Sequence, residues 1–170
     1  MFSRWLFPVL LLLAASALAG EVAASDLPPI DLPGVWHEVT QDDSTSDSKC
    51  IGKPVTPLCA VETIFACFLR GQDELCRIAM SLDHLPGLGP GRPYPGGWER
   101  YRVAAVKRVD PKKQRLVVAT PTKAGDVILN VQHLRCQFSQ CQTRVGPPTT
   151  YLVRPKGDGW VVLDWETPRW

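Results

Sequence analysis

Between Gly71 and Trp98 the apolar residues of this chain change their period, and that switch constrains the fold more than any other feature. From Pro57 to Phe68 they recur at helical spacing, as Leu58, Val61, Ile64, Phe65 and Phe68, with Cys67 and Leu69 widening the stripe. Thr56 supplies a capping hydroxyl, Pro57 suits a first helical position that needs no N–H partner, and Gly71 is a stop. A second, shorter helix is predicted over Asp73–Met80, capped by Asp73, with Leu75, Ile78 and Ala79 as its apolar face. From Trp98 onward, WERYRVAAVKRV, RLVVATP, VILNVQHLRCQF, TTYLVRP and WVVLDWE are rich in β-branched and aromatic residues. The links between them are short and turn-rich, so the sheet is predicted to be antiparallel.

The N-terminus predicts export. Arg4 precedes an apolar run, WLFPVLLLLAASALA, that ends in Ala17-Leu18-Ala19, a small-residue cleavage signal. The run is short for a membrane span, so no stable membrane anchor is expected once residues 1–19 are removed. The compartment expected is periplasmic or secreted. What remains suits a single domain. A formal net charge of +2 over 170 residues leaves no footprint for nucleic acid or for an anionic membrane surface.

Cys50, Cys59, Cys67, Cys76, Cys136 and Cys141 all follow the export segment, and an even count in such a chain reads as three disulfides. A zinc site would want closely spaced pairs with further Cys or His partners, which these spacings do not offer. No metal and no cofactor is expected. Cys136 and Cys141 bracket a four-residue loop and are predicted to pair. Cys59 and Cys67 would lie about 12 Å apart along a helix and cannot pair with each other. Further pairs among Cys50, Cys59, Cys67 and Cys76 stay open.

Residues 20–55 read as an irregular leader, punctuated by prolines in DLPPIDLPG and by the acidic tract QDDSTSDSK, which is expected to be a solvated loop. The segment HLPGLGPGRPYPGGW is a long loop rather than a phosphate-binding one, since no Lys-Ser/Thr follows its glycines. The domain proper is expected over residues 56–170.

A helix pair at Pro57–Phe68 and Asp73–Met80, followed by an antiparallel meander ending in GDGWVVLDWE, resembles the NTF2-like (cystatin-type α+β) superfamily. The chain would be an exported bacterial member. The resemblance spans most of residues 57–166 and carries no diagnostic motif. It implies an α+β fold of two N-terminal helices packed on a curved antiparallel sheet of four to five strands, disulfide-stapled here, with a cone-shaped pocket. Fold alone assigns no function.

Candidate site residues follow from which face each strand turns inward. In GDGWVVLDWE, alternation sets Trp160, Val162, Asp164 and Glu166 on one face and Val161, Leu163 and Trp165 on the other. The resemblance turns the Trp160 face inward, which would place Asp164 at the pocket mouth, where desolvation raises a carboxyl toward a useful base. The opposite choice leaves Asp164 solvated, and is the one expected. His133 follows Val127, Leu129 and Val131 on one strand face and is either a lining residue or a structural histidine. His84 beside Asp83 suits a helix C-terminus. Glu62 is either a helix-surface charge or a pocket acid, Tyr101 either core or lining, and Trp160 a lining candidate.

Three functions remain open. The first is an exported module that binds a small ligand or another envelope protein, with a homodimer through the sheet as a further possibility. The second is a cofactor-independent enzyme using Asp164 with His133. The third is a purely structural envelope protein. An enzyme needs two ionisable groups converging in a cavity; a binding module needs an apolar pocket with a few polar groups.

Overall fold

The structure, a computed structural model, describes residues 35–81, 91–110, 120–138 and 140–168. The expected export segment, the leader up to residue 34, His84 and most of the strand expected at residues 115–121 lie outside the described residues. Strand β1 (His37–Val39) precedes helices α1 (Pro57–Arg70) and α2 (Asp73–Ala79). Then come β2 (Gly97–Arg108), β3 (Val127–Gln137), β4 (Gln140–Cys141), β5 (Thr149–Lys156) and β6 (Gly159–Glu166). The sheet runs β1-β2-β3-β5-β6 with β4 paired to β3, and every strand pairing is antiparallel.

Two expectations need correction. Among the described residues the sheet has six strands rather than four to five, and its first strand precedes the helices. His37–Val39 lies inside the segment read as irregular, yet pairs with β2 through His37↔Tyr101 and Val39↔Glu99. Three residues are too few to display a period, and only Val39, fully buried, anchors this strand in the core. β4 is the two-residue closure of the loop between Cys136 and Cys141.

Helix α1 starts where its capping chemistry dictates. Thr56 Oγ1 accepts from the Cys59 N–H at 3.1 Å, and Pro57 needs no partner for the N–H it lacks. Gly71 ends the helix in the left-handed region at φ 67°, its N–H returning to the Cys67 carbonyl. For α2 the cap position falls one residue earlier than expected. Gln72 precedes the helix without a side-chain cap, and Asp73 opens the first turn, where its charge still suits the helix dipole.

Three disulfides staple these parts: Cys50–Cys59 joins the incoming loop to the first turn of α1, Cys67–Cys76 joins α1 to α2, and Cys136–Cys141 closes the β3–β4 turn. Such a set is compatible with an oxidising extracellular compartment. No described helix is long and apolar enough to cross a membrane.

The acidic tract is an exposed loop, as expected, and its turns are hydrogen-bonded. The Asp42 carbonyl accepts from the Thr45 and Ser46 N–H groups, Asp47 Oδ2 accepts from the Glu38 N–H, and Arg70 Nε donates to the Thr40 carbonyl. The Ser44 backbone N–H holds the Asp42 carboxyl below its ordinary range. Ser46 and Ser48 are buried as a result.

The main core lies between α1 and one face of the sheet, where Val61, Ile64 and Phe65 meet Tyr101, Val103, Leu129, Val131, Tyr151, Val153 and Val162. On the outer face a second, smaller cluster joins Leu152, Val161 and Leu163 to Val109 and Ile128. Residues 120–126 are pinned beside it. Asp126, fully buried, accepts twice from Arg154 at 2.7 Å, and this pairing pushes the guanidinium pKa higher still.

Candidate functional site

Strand phase decides which side chains reach the space under α1. On β2, Glu99, Tyr101 and Val103 face the helix, before the register slips between Val103 and Ala105. On β3 the helix-side row continues from Val127, Leu129 and Val131 to His133 and Arg135. On β5 it holds Thr149, Tyr151 and Val153.

On β6 the row changes phase. Val153 pairs with Val162, but Leu152 pairs with Asp164, so Leu163 has no partner and forms a bulge. Trp160 and Val162 therefore pack into the main core before the bulge, and Trp165 does so after it. Val161 and Leu163 go to the outer cluster. Each face expected from strict alternation is half present.

Asp164 consequently lies on the outer face. It is half-buried, accepts from the Thr120 N–H at 3.1 Å and from the Thr120 hydroxyl at 3.0 Å, and takes the Trp165 N–H at 2.8 Å. The convergence of Asp164 with His133 that the enzyme alternative requires does not occur, because the bulge sends the two to opposite sides. Nor is Asp164 freely solvated, since it holds Thr120 in place.

A pocket of about 410 Å³ opens between α1 and the sheet. Its helix wall is Ile64, Phe65, Phe68 and Leu69, and its sheet wall is Glu99, His133, Arg135, Tyr151, Trp165 and Thr167. Arg92 and Tyr94, from the end of the Pro/Gly loop, complete the rim. Gln41 frames that rim: its amide donates to the Tyr94 carbonyl at 2.7 Å and reaches those of Leu69 and Gly97 at 3.3 Å. Gly97 is required there, since a Cβ would run into the Tyr94 ring.

Inside the pocket, His133 is held at both ring nitrogens. Nδ1 lies 2.5 Å from Glu99 Oε1, and Nε2 lies 3.0 Å from Thr149 Oγ1, itself 3.0 Å from Thr167 Oγ1. Phe65 stacks on the imidazole at 5.7 Å. Arg135 lies over Tyr94, 5.4 Å from the ring centre, with Nε 3.7 Å from Glu99 Oε2. Burial, with the Glu99 charge as a smaller cause, pushes the Tyr151 phenol far above its ordinary range, so it stays protonated.

Glu99, His133 and Thr149 have the connectivity of an acid–base–nucleophile chain. Thr149, however, is 1 % exposed and does not line the pocket, so its hydroxyl meets nothing to attack. Its bond to Nε2 and the Glu99 bond to Nδ1 occupy both nitrogens through which His133 would move a proton. The chain works as a brace for the ring.

Of the other candidates, Glu62 and Tyr101 come together away from the pocket. Both are buried; the Tyr101 hydroxyl donates to Glu62 Oε1, and the Ser48 hydroxyl donates to Oε2 at 2.5 Å. Glu62 is thus neither a helix-surface charge nor a lining acid. The Cys50 and Cys59 sulfurs approach it closely enough for a ligand set, but they are bonded to each other. Trp160 packs against the core rather than the pocket.

Sequence reading passed over Glu99, Tyr151, Arg135 and Thr149. For Glu99 a signal existed: it shares a strand face with Tyr101 and Val103, an acid in an apolar row. Comparison with protein-family models, with curated proteins and with solved structures finds no match to this chain.

Proposed function

We propose that this protein is an exported small-ligand-binding module of NTF2-like build, its ligand lying between α1 and the sheet. One observation carries the reading: a pocket of about 410 Å³ whose apolar and aromatic walls stand beside a small polar set centred on His133, which is held at both ring nitrogens. That volume and lining suit a small-molecule site. Rings held by their neighbours offer contact area at little entropic cost on binding. The three disulfides fit a periplasmic or secreted setting.

Calorimetric titration with a neutral aromatic amide, phenylbutyramide, tests it. Saturable binding is expected, weakened about tenfold by Phe68→Ala, which removes part of one wall at a half-buried position. Absence of binding by this and comparable apolar molecules would end the reading.

The short Glu99–His133 contact favours a second reading, a cofactor-independent enzyme with Glu99 in the role expected of Asp164. It requires a substrate to displace Thr149 from Nε2. The two readings part on His133→Gln, which leaves affinity within a few-fold in a binding module and abolishes turnover in an enzyme.

A further inference from the structure

The pocket has a polarity gradient that the binding reading alone does not use. Its helix wall is apolar throughout. Both of its guanidinium groups, Arg92 and Arg135, come from the Pro/Gly loop and β3. Two cations thus face one carboxylate, Glu99, and that carboxylate is already committed to His133. At 3.7 Å the Arg135–Glu99 contact is an ion pair but too long for a hydrogen bond. Arg92 forms no hydrogen bond or ion pair with any described residue.

Arg135 is also pre-oriented. Its guanidinium lies over Tyr94, and a guanidinium so placed keeps its N–H edge for a partner. An independent observation points the same way. Tyr151 lines the pocket and is only 4 % exposed, yet its hydroxyl makes no hydrogen bond with a described residue. Since that hydroxyl keeps its proton, it is a neutral donor that a ligand in the pocket can use. Cations in excess and a hydroxyl that can donate suit an anionic head group.

We propose that the pocket takes a small amphiphilic carboxylic acid, its apolar body against α1 and its carboxylate at Arg92 and Arg135. The assignment rests on the binding reading and adds the head group to it. Arginine matches a carboxylate in geometry as well as charge, because two parallel N–H groups can meet its two oxygens. An ammonium ligand would gain from the aromatic walls but would meet both guanidiniums.

Three probes that share one body and differ in the head separate these outcomes: phenylbutyrate, phenylbutyramide and phenylbutyltrimethylammonium, titrated calorimetrically into the disulfide-intact chain. Phenylbutyrate is expected to bind at least about tenfold more tightly than the amide, with the advantage shrinking at high salt because the arginines are solvent-exposed. Arg92→Gln and Arg135→Gln should each bring phenylbutyrate toward the amide's affinity while weakening the amide far less, so that the acid-to-amide preference falls with each. Equal binding of acid and amide, or preference for the ammonium, overturns the carboxylate assignment while the pocket reading stands. No binding of any probe overturns both.

Discussion

Asp164 shows how a single residue's role depends on a neighbour's register. It points away from the pocket, as expected from the sequence, but two hydrogen bonds to Thr120 separate it from an ordinary surface acid. Asparagine keeps one acceptor oxygen and loses the charge that strengthens both bonds. Asp164→Asn should therefore cost about 1 kcal/mol, against a few tenths for a surface site, as read from urea unfolding at neutral pH. Tyr151 makes the complementary case in pH. Its folded pKa is raised from an ordinary value of 10.0, so the folded state holds the phenolic proton more tightly than the unfolded chain does. The stability this contributes is fully present below about pH 10 and is lost progressively as pH rises above it toward the folded value. Wild type should lose more stability than Tyr151→Phe between pH 9 and pH 11, by on the order of 1 kcal/mol; parallel loss would show that the phenol ionises freely.

At the scale of elements, legibility followed local chemistry. Thr56, Pro57 and Gly71 mark the limits of α1 because capping and chain reversal are local, and the structure keeps both ends. The long strands were visible through composition, and antiparallel pairing through their short links. β1 was hidden, since its partner Tyr101 lies 64 residues further on and nothing within His37–Val39 records that. The β6 bulge was hidden for a related reason: alternation assumes an unbroken ladder, and Leu163 is extruded only because β5 stays in register on either side. The loop before α1 is held to the helix by Cys50–Cys59 and by the Gly52 N–H on Thr63 Oγ1. Replacing both cysteines by serine should cost about 2–3 kcal/mol, the chain-entropy value for so small a loop. The loss should appear as a lower urea midpoint with an unchanged slope. An altered slope would mean that the loop detaches as a separate unit.

The pocket belongs to the molecule as a whole, and this is why the sequence displayed its walls but not its identity. Phe65, Phe68, Tyr151 and Trp165 read equally well as core, and the main core does include or border all four. They become pocket walls only because α1 stands off one end of the sheet, where Glu99, His133 and Arg135 replace apolar residues in the helix-side rows. His133 was legible as a residue of that row; its brace from Glu99 and Thr149 was not, because the three come from three strands. A ligand in this space touches α1 and β6 simultaneously, so it binds only when both layers are docked. At a ligand concentration a hundred times its Kd, such linkage adds about 2.7 kcal/mol to the stability of the folded state. Amides of α1 and β6 that exchange only through global unfolding should then slow together, by about a hundredfold, when phenylbutyrate saturates the protein. Slowing confined to Tyr94 and Gly97 at the rim would instead mean that the ligand sits on the loop and leaves the space between the layers unused.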